Sequence, residues 1–380
     1  MKISSLKLIE LPKRNSNSWI EEKESSTPMS RYEKYSHSKS KWMNLDNRLL
    51  CVMESDQGVY GTSLTSGGSV VSNAVKEQVI PMLIGEDLTR INKIYDILYR
   101  STTPYGHGRI IMSAIASVDI ALWNMNSKLR HLPISNLLGG SIFDKLKVYA
   151  TTSLDETTID KNYFGYKFSP PYGPEEGTKG ILLMKDMLTK IRKKIGPDKF
   201  ISIDSFCSWD VEFTLEFLKE TKDLGIYWVE DPLLPNDLDG YKNLKERAPM
   251  IRTAVGNFLY DPAEIYKFIK AGVVNIIQPD LTWAGGVTAA MQIGHMSNLS
   301  NVYFSPHNGA TQPWATQAMS VLPNSGYAEY IVIDNKYATI PAHIYGSPSG
   351  EFMDPGLLKD LTAEGIEILQ RKGKTMTIDL

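Results

Sequence analysis

The chain has 380 residues, 42% hydrophobic and 22% charged, enough apolar material for a large core and enough length for two or three domains or one large barrel with an addition. A net charge of −2 and a pI near 6.3 advertise no polyanion-binding surface, so nucleic acid is not an expected partner. Two cysteines, Cys51 and Cys207, fall on different predicted elements; this argues against a disulfide framework and for a reducing, cytoplasmic setting.

The N-terminal MKISSLKLIEL alternates apolar and polar residues, which predicts a strand and no signal peptide. No stretch approaches the roughly 20 apolar residues of a membrane span, so a soluble protein without a membrane partner is expected. The polar segment from Lys13 to Trp42 carries Pro28, Tyr32, Tyr35 and Trp42. Those side chains suit a loop that closes over a ligand. NRLLCVMES and GVYGTSLTS, joined through Asp56-Gln57-Gly58, predict a hairpin. Helical patterns follow at Ala74 to Leu83, Leu88 to Tyr99 and Arg109 to Lys128, the last with a broad apolar face. These pieces make a small α+β domain.

From Lys147 the rhythm changes. VYATTS and GYKFSP read as strands and Gly180 to Ile195 as a helix, leading into the apolar runs FISID, YWVED, IRTAVGN, VNIIQPD and VYFSPHN. Each run ends in a polar residue, Asp204, Glu230, Asn257, Asp280 and His307, spaced 23 to 27 residues apart. That spacing fits one strand, one helix and two loops, a repeating β/α unit. Helices are predicted at Val211 to Leu224, Pro262 to Ala271, Val287 to Leu299 and Ala315 to Val321, and YAEYIVID is a further strand. Parallel strands closed into a barrel converge at their C-terminal ends, so these polar residues would meet around one mouth.

Asp204 and Glu230 at the ends of apolar strands are costly without partners. A hard divalent cation relieves that cost, as would a lysine partner or the N-terminus of the next helix. Asp280 one unit before His307 reads as the orienting carboxylate of a general base. Lys167, inside GYKFSP, would offer an ammonium or a second base at the same mouth, and Glu329 a hydrogen-bond acceptor or proton relay. A cation opposite a His–Asp pair suits removal of a proton alpha to a carboxylate. Loss of a β-hydroxyl then gives a 2-keto-3-deoxy acid; reprotonation on the other face gives racemisation.

Several segments carry a resemblance: PMSRYEKYSHSKSKW, TSGG, MSAIASVDIALWN with LPISNLLGG, YKFSPPYGPEEG, SIDSFCSWDV, WVEDPLLPNDLDGY, QPDLTWAGGVT, SPHNG and YAEY. Together they resemble the mandelate racemase subgroup of the enolase superfamily, and within it the L-rhamnonate dehydratases. The resemblance implies an α+β capping domain (1–140, with 345–380 returning to it) over a (β/α)7β TIM-like barrel (141–344). It implies Mg2+ held by Asp204, Glu230 and the residue at Asn257, a base His307 with partner Asp280, and Glu329 and Lys167 near a small acid-sugar substrate. Lys39, where the family has an arginine, and Trp283 of QPDLTWAGG are the implied substrate contacts.

Two positions depart from the family pattern. Asn257 stands where the family has a glutamate, removing one negative charge from the metal shell. Ser169 stands where racemases carry a second lysine. The implied activity is aldonate dehydration in a homo-oligomer; the alternatives are a racemase or epimerase, or a non-catalytic binder of acid sugars with an impaired metal site.

Overall fold

The computed structural model describes residues 1–11, 25–35, 48–155, 157, 159, 162–332, 348, 350–356, 366–367 and 374–378. Lys39 and most of the 13–42 loop lie outside the described residues, as does much of the 345–380 tail.

The first layer is an antiparallel sheet of β1 (Ile3–Glu10), β2 (Arg48–Ser55) and β3 (Tyr60–Ser66). The β2–β3 turn forms as its chemistry predicts, with Gly58 at φ 76° and the Ser55 hydroxyl accepting the Val59 N–H at 3.1 Å. A helical run through residues 68–83, with a π turn at Val75–Val79, begins earlier than the sequence pattern predicts. The next helix, Ile91–Ser101, begins later, because Asp87 takes the N–H and hydroxyl of Thr89 and holds a turn there. The long helix Arg109–Arg130 crosses the sheet. Gly61 permits that approach: a Cβ there would meet Ala121 O at 2.1 Å and Met125 Cγ at 2.3 Å. Leu6, Leu8, Cys51, Ile115, Val118 and Leu122 fill the space between.

The second layer is a parallel barrel of β4 (Leu146–Ser153), β5 (Gly165–Ser169), β6 (Phe200–Asp204), β7 (Ile226–Glu230), β8 (Thr253–Val255), β9 (Ile276–Ile277), β10 (Tyr303–Phe304) and β11 (Tyr327–Ile331). The strands pair in sequence order, and β11 pairs β4. A parallel bridge between Phe304 and Ser325 closes the ring. Helices Gly177–Ile195, Val211–Glu220, Leu238–Arg247, Pro262–Lys270, Gly286–Leu299 and Pro313–Ser320 carry the crossovers among the described residues. Three start on aspartate caps: Asp210, Asp237 and Asp261 accept N–H bonds from Phe213, Gly240 and Ala263. Two short strands complete the sheets: β12 (Phe352–Met353) lies antiparallel to β4, and β13 (Lys374–Ile378) antiparallel to β1.

Alternation along each strand sorts the interior. Tyr149, Phe200, Trp228, Ala254, Ile276 and Tyr327 gather at one level inside the barrel, with Tyr149 and Trp228 edge to face at 5.4 Å. Two residues further along the same strands come Thr151, Ser202, Glu230, Gln278 and Glu329, all buried. An aromatic floor thus lies under a polar layer.

A buried carboxylate joins the layers. Asp119, on the capping helix, accepts the N–H of Thr288 at 3.0 Å and its hydroxyl at 2.5 Å, at the start of the barrel helix Gly286–Leu299. Thr288 also accepts the Trp123 indole N–H at 3.0 Å. Removing Asp119 strands buried donors, so Asp119→Ala should lower unfolding free energy by about 1–3 kcal/mol. Thermal and urea unfolding check this, and an unchanged midpoint would show that the joint contributes nothing.

Candidate active site

Strand ends bring Lys167, Asp204, Glu230 and Glu329 together in the polar layer. Register pairs Asp204 with Glu230, so adjacent strands present adjacent carboxylates. Lys167 is fully buried, and its Nζ donates to both oxygens of Glu230 at 2.7 and 2.8 Å. It lies 2.8 Å from Glu329 Oε1 and 3.6 Å from Asp204 Oδ2. Glu329 also accepts the Thr151 hydroxyl at 2.5 Å and the Asn308 N–H at 2.8 Å. Sequence position alone marks Glu329 weakly; its three donors place it at the centre of the cluster.

The cluster sets its own charge states. Burial and then Asp204 push Glu230 up to about 7. Burial opposes charge on Lys167, but Glu230 and Glu329 outweigh it and hold the ammonium well above its ordinary range. Burial likewise opposes ionisation of Glu329, yet Lys167 and then His307 prevail, keeping it an anion. The lysine partner considered for Glu230 from the sequence is therefore present, inside the cavity.

On the β9 and β10 side, His307 Nδ1 lies 2.9 Å from Asp280 Oδ2. Asp280 is fixed by its other oxygen, which accepts the N–H and hydroxyl of Thr282 at 2.8 and 2.6 Å. An ionised Asp280 selects the tautomer with the proton on Nδ1 and leaves Nε2 as the acceptor. Burial works against charge on His307, but Glu329 and Asp280 overcome it and raise its pKa. Burial works against ionisation of Asp280, and His307 and Thr282 overcome that, lowering its pKa.

Asn257 lies two residues past the end of β8, beyond Gly256, whose φ of 134° only glycine holds without strain. A Cβ on Gly256 would also meet Gln278 N at 2.7 Å. The Asn257 side chain is buried, and its Oδ1 has no hydrogen-bond partner. Asp204, Glu230 and Asn257 all carry oxygen donors, the ligand type a hard cation takes. Among the described residues no group of three or more His, Cys, Asp or Glu side chains is placed to hold a metal ion.

Residues from the capping layer complete the mouth. Trp283, after β9, has its ring 5.3 Å from that of His307 and donates its indole N–H to Ser66 Oγ at 2.8 Å. The Arg109 guanidinium stacks 3.9 Å from the Trp283 ring, donates to Ser66 Oγ at 3.1 Å and bonds the Tyr260 hydroxyl. Trp283 and the TSGG motif containing Ser66 are marked in the sequence. Arg109 and Tyr260 are not, because nothing local distinguishes Arg109 from an ordinary helix-surface arginine.

Known proteins agree with this architecture. Residues 45–139 match the mandelate racemase / muconate lactonizing enzyme N-terminal domain, and residues 178–349 the enolase C-terminal domain-like family. A Caldivirga maquilingensis protein assigned as an L-rhamnonate dehydratase is 30% identical over 81% of this chain and 77% of its own length. The L-rhamnonate dehydratase of Saccharopolyspora erythraea is 28% identical over 83% and 80%. The crystal structure of rhamnonate dehydratase from Gibberella zeae complexed with Mg superposes with a TM-score of 0.88 at 25% identity, covering 96% of this chain and 95% of that one. Barrel, cap and sequence relatives coincide over most of the chain, which therefore belongs to the mandelate racemase / muconate lactonizing enzyme family of the enolase superfamily.

Proposed function

We propose that this protein is a sugar-acid dehydratase, a carbon–oxygen hydro-lyase that takes a five- or six-carbon acid sugar to a 2-keto-3-deoxy acid, with L-rhamnonate-like aldonates the first candidates. The observation that carries the reading is the His307–Asp280 pair, 2.9 Å apart, at the same barrel mouth as the buried Lys167–Glu230–Glu329–Asp204 cluster. The family and its named dehydratases support it.

Asp204, Glu230 and Asn257 are the residues that would hold Mg2+, and the partnerless Asn257 Oδ1 supports that assignment. When bound, the ion supplies positive charge to the substrate carboxylate, easing loss of the neighbouring proton. Lys167 adds a fixed ammonium on the same side, and Glu329 keeps it there. His307 Nε2 takes the alpha proton while Asp280 holds Nδ1–H. The electron pair left on carbon expels the 3-hydroxyl, and the same imidazolium returns its proton to the departing oxygen as water leaves. Tautomerisation of the resulting enol gives the keto acid. Lys167 is engaged by carboxylates on three sides and Ser169 offers no base, which favours one-base elimination over racemisation.

A metal-impaired binder of acid sugars is the second reading, favoured by one observation: both Glu230 oxygens already bond Lys167. Calorimetry separates the two. Saturable Mg2+ binding supports the enzyme, and no binding up to millimolar metal by a folded protein supports the binder. Asn257→Glu adds one anionic ligand and should tighten Mg2+ binding with the fold unchanged; unaltered affinity would remove Asn257 from the shell.

With Mg2+ saturating, an aldonate library assayed with semicarbazide should reveal keto-acid product, and turnover of no member would sink the dehydratase reading. His307→Asn should then cost about 10²–10⁴-fold in kcat, leaving thermal unfolding little changed. Because catalysis needs neutral His307, and its neighbours raise its pKa, the acidic limb of activity should lie above the ordinary histidine value of about 6.5. Asp280→Asn should move that limb to lower pH while reducing kcat; a limb that stays in place would assign the titration to another group.

A further inference from the structure

We infer that Asn308 is a positioning residue for the general base: its backbone N–H holds Glu329 while the oxygen of its side-chain amide shares the proton on His307 Nδ1, so that one residue sets the imidazole against the neighbouring anion. The inference rests on the reading of His307 as the base of the dehydratase.

Three sets of contacts meet at Asn308. Its N–H donates to Glu329 Oε2 at 2.8 Å, and its carbonyl accepts the N–H and the hydroxyl of Thr311, each at 2.9 Å. Its side-chain amide lies 3.2 Å from His307 Nδ1, the nitrogen that also faces Asp280 Oδ2 at 2.9 Å. In an extended strand neighbouring side chains point to opposite faces, which puts the preceding ring out of reach. Here the chain turns: Asn308 is left-handed, with φ 57° and ψ 21°, and the amide folds back onto the ring. Asparagine adopts that conformation more readily than most residues that carry a side chain.

Proton count selects the end of the amide. The structure sets Nδ2 toward Nδ1. A ring nitrogen whose proton is given to Asp280 has no lone pair left for an amide N–H. Only the amide oxygen gains from that contact, and the two ends of an amide, alike in shape, are told apart by such networks. With the oxygen turned inward, the Nδ1 proton lies between Asp280 and Asn308, and Nε2 keeps its lone pair for the substrate. The backbone of the same residue serves the same geometry. Burial opposes charge on His307, and Glu329, which the Asn308 N–H holds, is foremost among the neighbours that favour it.

Glycine serves a left-handed turn at least as well, so Asn308→Gly removes the amide and keeps the turn and its N–H. The measurement is solvent exchange of the His307 ring proton, followed by NMR on protein with isotope-labelled histidine in Mg2+, without substrate, at a pH where the ring is neutral. His307→Asn identifies the signal among the six histidines. Asn308→Gly should speed exchange about threefold to tenfold, the worth of one hydrogen bond, and lower kcat on an accepted aldonate by a similar factor with KM little changed. Asn308→Asp, with oxygen at both ends, should restore the protection. Unchanged exchange in the glycine variant, or an equal loss in the aspartate variant, would overturn the inference. So would a neutral ring with its proton on Nε2 in the unaltered protein, an outcome that needs no variant to fold. Asn308-dependent exchange without turnover of any aldonate would uphold the inference and defeat the dehydratase reading. Turnover with exchange indifferent to Asn308 would do the reverse.

Discussion

A lysine buried among three carboxylates is the constraint around which this barrel is arranged. Lys167 has no exposure and touches Glu230, Glu329 and, at longer range, Asp204. Such a group of charges is not a stabilising device in itself, because desolvation consumes much of what mutual attraction returns. It persists because strands from distant parts of the chain hold it from all sides. The aromatic floor below it, Tyr149, Phe200, Trp228 and Tyr327, supplies packing that the polar layer cannot. Counted as ions, the three carboxylates exceed the one ammonium by two charges.

The strand-end residues were legible because period-two alternation and β/α spacing are local signals. Asp204, Glu230, Asp280 and His307 can be picked out as equivalent positions before any coordinates exist, and the structure brings them to one mouth. Glu329 was harder, since its three donors come from Thr151, Lys167 and Asn308, on three other segments. Arg109 was invisible: its neighbours Ser66, Tyr260 and Trp283 lie on β3 and two barrel loops, and no pattern within the helix announces them. Helix boundaries moved wherever side chains intervened, as where Asp87 delays the helix Ile91–Ser101. What sequence reading lacked was the contact between layers.

Asn257 shows how a departure from pattern is absorbed. A buried amide oxygen without a partner is normally a defect, and here it stands two residues past β8. Gly256 is needed to turn the chain into that position, because a side chain there would strike the backbone at Gln278. The backbone device is therefore present although the charge it would ordinarily deliver is not. Lys167 provides compensation of a kind, by holding Glu230 in place through two short bonds. Under the proposed Mg2+ assignment, the same bonds would oppose a cation at those oxygens, tying metal affinity and lysine placement to one carboxylate.

The two layers meet where Trp283 contacts Ser66 and Arg109, and their junction couples them. The barrel alone supplies Lys167, Asp204, Glu230, Asp280, His307 and Glu329. The capping layer supplies Ser66 and Arg109, which position Trp283 beside His307. Asp119 fastens the same capping helix, whose first residue is Arg109, to the start of the barrel helix at Thr288. Ten residues separate Asp119 from Arg109 along that helix, so the bond that joins the layers and the stack of Arg109 on Trp283 belong to one element. The His307–Asp280 contact, by contrast, lies between residues of the barrel alone.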